Sequence, residues 1–214
     1  HRGLTTVIAL FGSSAPVFTV DGERQAELAR DLLRLEVSED TQGMKRLSAR
    51  FTAWGPESGG RDEGERHLDG RVLDFGRRLD VSLGPAAAAR TVFQGHISAI
   101  EADYAESREP QVAVYAEDAL MQLRFRHRCR TWEDMSDADI VRGIAGEHGL
   151  QAETDADGPT HAVVQQWNQS DLAFLRERAR LLQAELWLDE RTLHFATRER
   201  RPAAEITLVN GNQL

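Results

Sequence analysis

The sequence predicts an α+β protein that is mainly β: a small antiparallel β-barrel over residues 1–122, then a smaller α/β domain with two helices over 123–200. Residues 201–214 are expected to form a strand that returns to the barrel or leads into a following domain. Three observations carry this reading. Up to Val114 apolar and polar residues alternate in segment after segment, which is the period of half-buried strands. Turn-forming Gly, Asp and Pro stand between those segments. After Glu117 the period changes, and amphipathic helical stretches interleave with short strands.

Leu4 to Phe11 (LTTVIALF) is the first strand expected, and Pro16 to Val20 opens a second that stops at the Asp21-Gly22 turn. Glu23 to Arg30 has helical character. Leu33, Leu35 and Val37 then alternate with Arg34, Glu36 and Ser38, and Leu47, Ala49, Phe51 and Ala53 repeat the alternation, so the two segments are expected to pair antiparallel. Five glycines, Pro56 and many charges in residues 54–70 predict a long surface loop with no packed element. Leu73 and Phe75, then Leu79, Val81 and Leu83, resume period two on either side of a bend at Gly76. Phe93, Gly95, Ile97 and Ala99 share one face of the next strand, and Val112 and Val114 follow the turn from Glu106 to Pro110. So many strands in so short a stretch are most economically closed, or nearly closed, into a barrel, which buries one face and removes exposed edges.

In the second domain Asp118 to Leu123 reads as a short helix or turn. The run LRFRHRCR gathers Arg124, Arg126, Arg128 and Arg130 around His127; in an acidic chain it reads as a solvated face or as partners for carboxylates. Ser136 with Asp139 forms a capping-box pattern before a helix whose stripe is Ile140, Val141, Ile144 and Ala145 and whose end is Gly149. Gln151 to Thr160 reads as a polar turn. Val163 to Leu188 reads as strand, turn, helix and strand: Asn168 or Ser170 caps the helix, Asp171 sits in its first turn where a carboxylate suits the macrodipole, and Leu172, Leu175, Ala179 and Leu182 are its buried stripe. Phe174 and Leu181 flank that stripe, and Arg176, Glu177, Arg178 and Arg180 are expected on the wet side. WLDERTLHF reads as a hairpin, and Glu205 to Val209 as a last strand stopping at Asn210-Gly211.

The net charge of −9 and pI near 5.3 argue against general affinity for nucleic acid or anionic membrane. Cys129, the one cysteine, cannot close an internal bridge and reads as a strand or core residue of a protein made in a reducing compartment. The longest apolar run is too short to span a bilayer and lacks the layout of a signal peptide. There is no Gly-x-Ser-x-Gly elbow, phosphate-binding glycine loop, His-Glu-x-x-His or cysteine pair. Asp155 and Asp157 begin like a calcium loop, but Pro159 and Gln166 stand where later oxygen ligands are needed. His96 and His148 read as satisfied edge groups, and Trp54, Trp132, Trp167 and Trp187 as core or interface anchors in preference to a sugar platform. No catalytic, cofactor-binding or metal residue is therefore expected, and no cofactor.

Four passages, in order, carry a resemblance: VFQGHISAIEADY, LMQLRFRHRCRTWEDMSDADIVRGIAGEHGL, VVQQWNQSDLAFLRERA and ELWLDERTLHF, together spanning roughly residues 91–196. They resemble the phage late control protein D family, which includes the trimeric baseplate hub of contractile tails and the hub portion of type VI secretion spike proteins. Two departures stand out. Gln166 occupies a place that is usually aromatic or a polar one beside it, and the residues after Phe195 leave no room for the family's second barrel or for a needle.

The resemblance implies a structural protein and not an enzyme: a homotrimeric ring adapting the sixfold tail tube to the threefold central spike. Its expected partners are further copies of itself, the spike, the tube and other baseplate components, with no stable nucleic-acid binding and no membrane insertion. Synthesis in the bacterial cytoplasm and assembly into a tail or injection particle follow. Acidic Glu36, Glu101 and Asp103 are expected to line a lumen. A cell-wall or polysaccharide hydrolase or binding module of a tail is the alternative, and a nucleic-acid binder using Arg124 to Arg130 a further one.

Overall fold

The computed structural model describes residues 15–39, 43–56, 63–85, 89–106, 108–156 and 158–200. The strands expected at Leu4 to Phe11 and Glu205 to Val209 lie outside them. The chain divides into two compact units, His1–Asp40 with Met44–Met121, and Thr41–Gly43 with Gln122–Leu214.

In the first unit β1 (Val17–Val20), β2 (Glu23–Arg24) and helix α1 (Ala26–Asp31) lead into β3 (Leu32–Glu39) and β4 (Lys45–Thr52). A hairpin of β5 (Trp54–Pro56) and β6 (Glu63–Glu65) follows, then β7 (Arg78–Leu83), β8 (Arg90–Asp103) and β9 (Gln111–Glu117). Seven strands form one antiparallel sheet in the order β2-β1-β7-β8-β9-β4-β3. The sheet curls. β1 and β4 are four steps apart in that order, about 19 Å at ordinary strand spacing, yet the rings of Phe18 on β1 and Phe51 on β4 lie 5.5 Å apart, edge to face. Rolling the sheet until its ends face each other is what a small β-barrel requires, and it encloses Phe18, Leu47, Ala49, Phe51, Val81, Phe93, Ile97 and Val114 in one cluster.

β-Bulges account for the departures from the expected alternation. A register shift between Leu32 and Arg34 puts Leu35 and Val37 on the core face but leaves Leu33 53% exposed. A second, between Ile97 and Ala99, hands the inward position from Ala99 to Ile100. A third, opposite Val81 and Ser82, inserts Val92 into β8, while Leu83 at the end of β7 is exposed. Leu73 is buried, but Phe75 precedes the left-handed Gly76 (φ +76°) outside any strand and is 64% exposed. Each bulge inserts a residue that reverses the facing of everything beyond it.

The described residues of the glycine-rich stretch, 54–56 and 63–70, hold more structure than its composition predicts. Beyond the β5–β6 hairpin, Arg66 and His67 are buried. His67 Nε2 lies 2.8 Å and Arg66 Nε 3.1 Å from the buried Asp31 carboxylate at the end of α1. Burial works to raise the Asp31 pKa, but Arg30, His67 and Arg66 outweigh it and hold the carboxyl below its usual range.

In the second unit β10 (His127–Ser136), α2 (Asp137–Glu147), β11 (Gln151–Thr154), β12 (Thr160–Ser170), α3 (Asp171–Leu181), β13 (Ala184–Asp189) and β14 (Thr192–Thr197) follow in order. β10 and β12 form a two-stranded antiparallel ribbon, and β11-β14-β13 a three-stranded sheet in which β11 runs parallel to β14. The stretch read as a polar turn, Gln151 to Thr160, thus contains strand β11. Its pairing partner lies some 40 residues downstream, a long-range contact that local polarity does not reveal. The capping box at Ser136 and Asp139 is present, and Ile140, Val141, Ile144 and Ala145 are all buried. No helix among the described residues is long and apolar enough to cross a membrane.

Candidate assembly surface and the charged network beneath it

A two-stranded ribbon is marginal by itself, so what lies under β10 and β12 decides whether it holds its shape. Alternation sends Arg128, Arg130 and Trp132 of β10, with Val164 and Gln166 of β12, to the inner face. His127, Cys129, Thr131 and Glu133, with Val163, Gln165 and Trp167, take the outer one. Between Arg128 and Arg130 the register shifts: Trp167 and Asn168 together oppose Cys129, and Asn168 takes φ +47°. Trp167, outward by alternation, is 74% exposed, and the bulge returns Ser170 to the inner side.

Both helices of the unit begin with the same word, Ser-Asp. Ser136 and Ser170 are the N-caps, and each following aspartate, Asp137 or Asp171, is buried. Asp171 is the hub of one network. It accepts hydrogen bonds from Arg130 Nη2 at 2.6 Å, Gln166 Nε2 at 2.9 Å and His148 Nε2 at 2.9 Å. Arg128 Nε stands 3.2 Å away as an ion pair. Arg130 also bonds Glu147 at 2.8 Å and lies over the Trp132 ring, 4.6 Å from its centroid. Asp137 is the hub of the other network. Arg178 donates to it at 2.5 Å and His161 Nε2 lies 3.0 Å away. Burial works to raise the pKa of both aspartates, but the hydrogen bonds and guanidinium charges outweigh it and hold both carboxyls below the usual range.

One sequence expectation changes here, and two open alternatives are decided. Arg178, expected on the wet side of α3, points inward to Asp137 because a buried carboxylate needs a cation more than the guanidinium needs water. Of the basic run, Arg128 and Arg130 are bound to Asp171 and Glu147, while Arg124, Phe125, Arg126 and His127 are exposed. Ser170, and not Asn168, caps α3, accepting from the Ala173 N–H. Leu172, Phe174, Leu175 and Ala179 are buried, whereas Leu181 is 64% exposed. Gln166 is fully buried: it accepts from Arg130 Nε and donates to Asp171 and the Gln169 carbonyl. His148 is a ligand of Asp171 at the C-cap of α2. His96 is half-buried, and burial, followed by the nearby Arg78, lowers its pKa.

Cys129 is exposed on the outer face with its Sγ accepting the Asn168 N–H, so the ribbon separates it from the His148–Asp171 couple. Among the described residues no group of three or more His, Cys, Asp or Glu side chains is placed to hold a metal ion. Trp187 stacks on His194, Trp132 sits under Arg130 and Trp167 is exposed on the outer face, while Trp54 is exposed in the first unit. In the first unit Glu36, Glu101 and Asp103 share the face of the sheet opposite the core. There Arg34 pairs with Glu36, the Tyr115 hydroxyl donates to Glu101, and Arg50 and Arg108 pair with Asp103.

A family model described as the Alg8 N-terminal domain matches residues 67–214. That span takes β7 to β9 without β1 and β4, to which β7 and β9 are hydrogen-bonded, so it marks no folding unit of this chain, and the whole-chain likeness in fold outweighs it. No curated protein matches the chain in sequence. Among solved structures, a 43 kDa tail protein of prophage MuSo2 from Shewanella oneidensis aligns at TM-score 0.72 and 14% identity, over 94% of this chain and 58% of its own. The E. coli c3393 protein, a type VI secretion component described as similar to T4 tail proteins gp27 and gp5, aligns at TM-score 0.53 and 17% identity, over 84% of this chain and 48% of its own. A tail protein from Neisseria meningitidis MC58 aligns at TM-score 0.59 and 13% identity, over 86% of this chain and 51% of its own. The chain thus spans about half the length of the structures it matches.

Proposed function

With the chain placed by its fold among the hub-like proteins of phage tails and type VI secretion systems, we propose that it is a structural baseplate-hub subunit of a contractile tail or injection system. Three copies form a ring that adapts the sixfold tail tube to the threefold spike, and the tube, the spike and other baseplate components are its partners. The observation that carries this reading is the whole-chain match to a prophage tail protein, which takes in both the rolled sheet and the α/β unit.

The physics of the surface supports it. A threefold ring needs two different patches per subunit that close on rotation. A rolled sheet supplies outward faces for such patches without opening its core. Glu36, Glu101 and Asp103 share one such face, and in this reading that face lines the lumen, its charge moderated by Arg34, Arg50 and Arg108. The reading assigns the protein no catalysis: the two His–Asp couples are ligands of structural ion pairs. Multi-angle light scattering tests the ring and is expected to give three protomers per particle, whereas a monomer at all micromolar concentrations would overturn it. Peptidoglycan zymograms are expected to stay uncleared, and clearing would favour a hydrolase.

A further inference from the structure

The outer face of the β10–β12 ribbon makes no use of its most costly residues. Trp167 is 74% and Val163 57% exposed, Cys129 lies between the strands on the same side, and Phe125 at the approach to β10 is 62% exposed. The inner face is closed by the networks of Asp137 and Asp171, so the ribbon is rigid where it is bare. Rigid, exposed tryptophan on a sheet face is the composition of an interface core.

The charges around this face say what covers it. Arg126 lies at the entry to β10, beside the exposed His127, and Glu133 and Asp134 lie exposed toward the other end; Arg126, Glu133 and Asp134 make no ion pair with a described residue. The apolar pair is centred too: Val163 and Trp167 lie two residues either side of Gln165, which is paired with Thr131. The face is therefore complementary to itself after a half-turn. An axis crossing the ribbon near Thr131 and Gln165 lays Trp167 of one copy on Val163 of the other and carries His127 and Arg126 to the level of Met135 and Ser136 of the other. That level is about two residues, about 7 Å along the strand, from its Glu133 and Asp134, within the reach of a long arginine side chain.

We propose that this outer face is an isologous contact between two copies of the chain, with antiparallel ribbons packed face to face. One face of a ten-residue ribbon, about 33 Å long and one strand pair wide, covers roughly 300–400 Å² per copy, below a standard stable interface, so the pairing is weak, reversible and sensitive to salt. It is independent of the ring reading, because a twofold contact joins copies, or rings, in pairs, whereas the ring closes on a threefold.

Sedimentation of the full chain from 1 to 100 μM, on the order expected for a weak contact, reads the step directly. The wild type is expected to show a concentration-dependent doubling of mass, lost in high salt. Trp167→Ala and Arg126→Glu are each expected to weaken that step at least about tenfold, a change of about 1.4 kcal/mol. The swap Arg126→Glu with Asp134→Arg is expected to restore it. These residues are exposed, so unchanged circular dichroism and melting temperature are expected, and any threefold step should persist in every variant. No doubling in the wild type, or a swapped variant as weak as Arg126→Glu alone, would overturn the proposal. Doubling that appears only when nucleic acid is added would overturn it as well, in favour of a nucleic-acid site.

Discussion

Replacing Asp171 by asparagine should destabilise the second unit out of proportion to a change of one atom. The side chain is 2% exposed and is met by two guanidinium groups, a histidine and an amide, all within 3.2 Å. Asparagine keeps the shape but removes the charge and turns an amide donor toward groups that are themselves donors. Breaking a buried ion pair costs about 3–5 kcal/mol. Arg130 retains Glu147 and Arg128 is one-third exposed to water, so the lower end, about 3 kcal/mol, applies. Asp171→Ala should cost about 1 kcal/mol more, because one N–H of the Gln166 amide then loses its acceptor as well. With a urea slope near 2 kcal/mol per molar, the midpoint should fall by roughly 1.5 M. Tryptophan fluorescence reports it, since Trp132, Trp167 and Trp187 all lie in this unit, with Trp54→Phe removing the signal of the other. Asp139→Asn, an exposed capping-box variant, is the control and should cost about 1 kcal/mol. If Asp171→Asn cost no more than a surface change, about 0.5 kcal/mol, the network would not be what holds the ribbon.

Leu172→Asp or Leu175→Asp should unfold the second unit and abolish assembly by burying an unpaired charge, and normal assembly of either would contradict the packing of α3. Asp118 is pushed up to about 6 by burial, despite accepting the Lys45 and Leu120 N–H groups. A raised folded pKa means that the folded state takes up the proton first, so stability grows as pH falls from about 6 toward 4. Between pH 7.5 and 5 the wild type should gain about 1.4 kcal/mol relative to Asp118→Asn in urea titrations, and equal shifts would contradict this. Asp31, Asp137 and Asp171 have the opposite sign: their lowered pKa gives stability that is present above about pH 4 and lost as pH falls through the folded values. Acid unfolding monitored by circular dichroism should therefore begin below about pH 4, and a transition at pH 6 would not fit.

Much of this was legible in the sequence where the chain interacts with itself locally. The Ser136–Asp139 box, the stripe of Ile140, Val141, Ile144 and Ala145, the β13–β14 hairpin and the alternation of Leu47 to Ala53 all depend on neighbours a few residues away. What period two cannot locate is a bulge, and two of them redirected Leu33 and Ala99. Long-range pairing hid β11 inside a polar stretch and buried Arg66 and His67 in a loop rich in glycine. The ion networks were half-visible. Arginine at alternate positions of β10 and the repeated Ser-Asp at two helix starts are both in the sequence. That each buried aspartate is met by cations from another element needs the fold.

The hub reading is tested most directly by the symmetry of the purified particle. Electron microscopy with class averaging, together with its mass, should give a ring with threefold symmetry and three times the 23.9 kDa protomer, or twice that where two rings pair. A monomer at every concentration, or a particle with twofold symmetry alone, would contradict it.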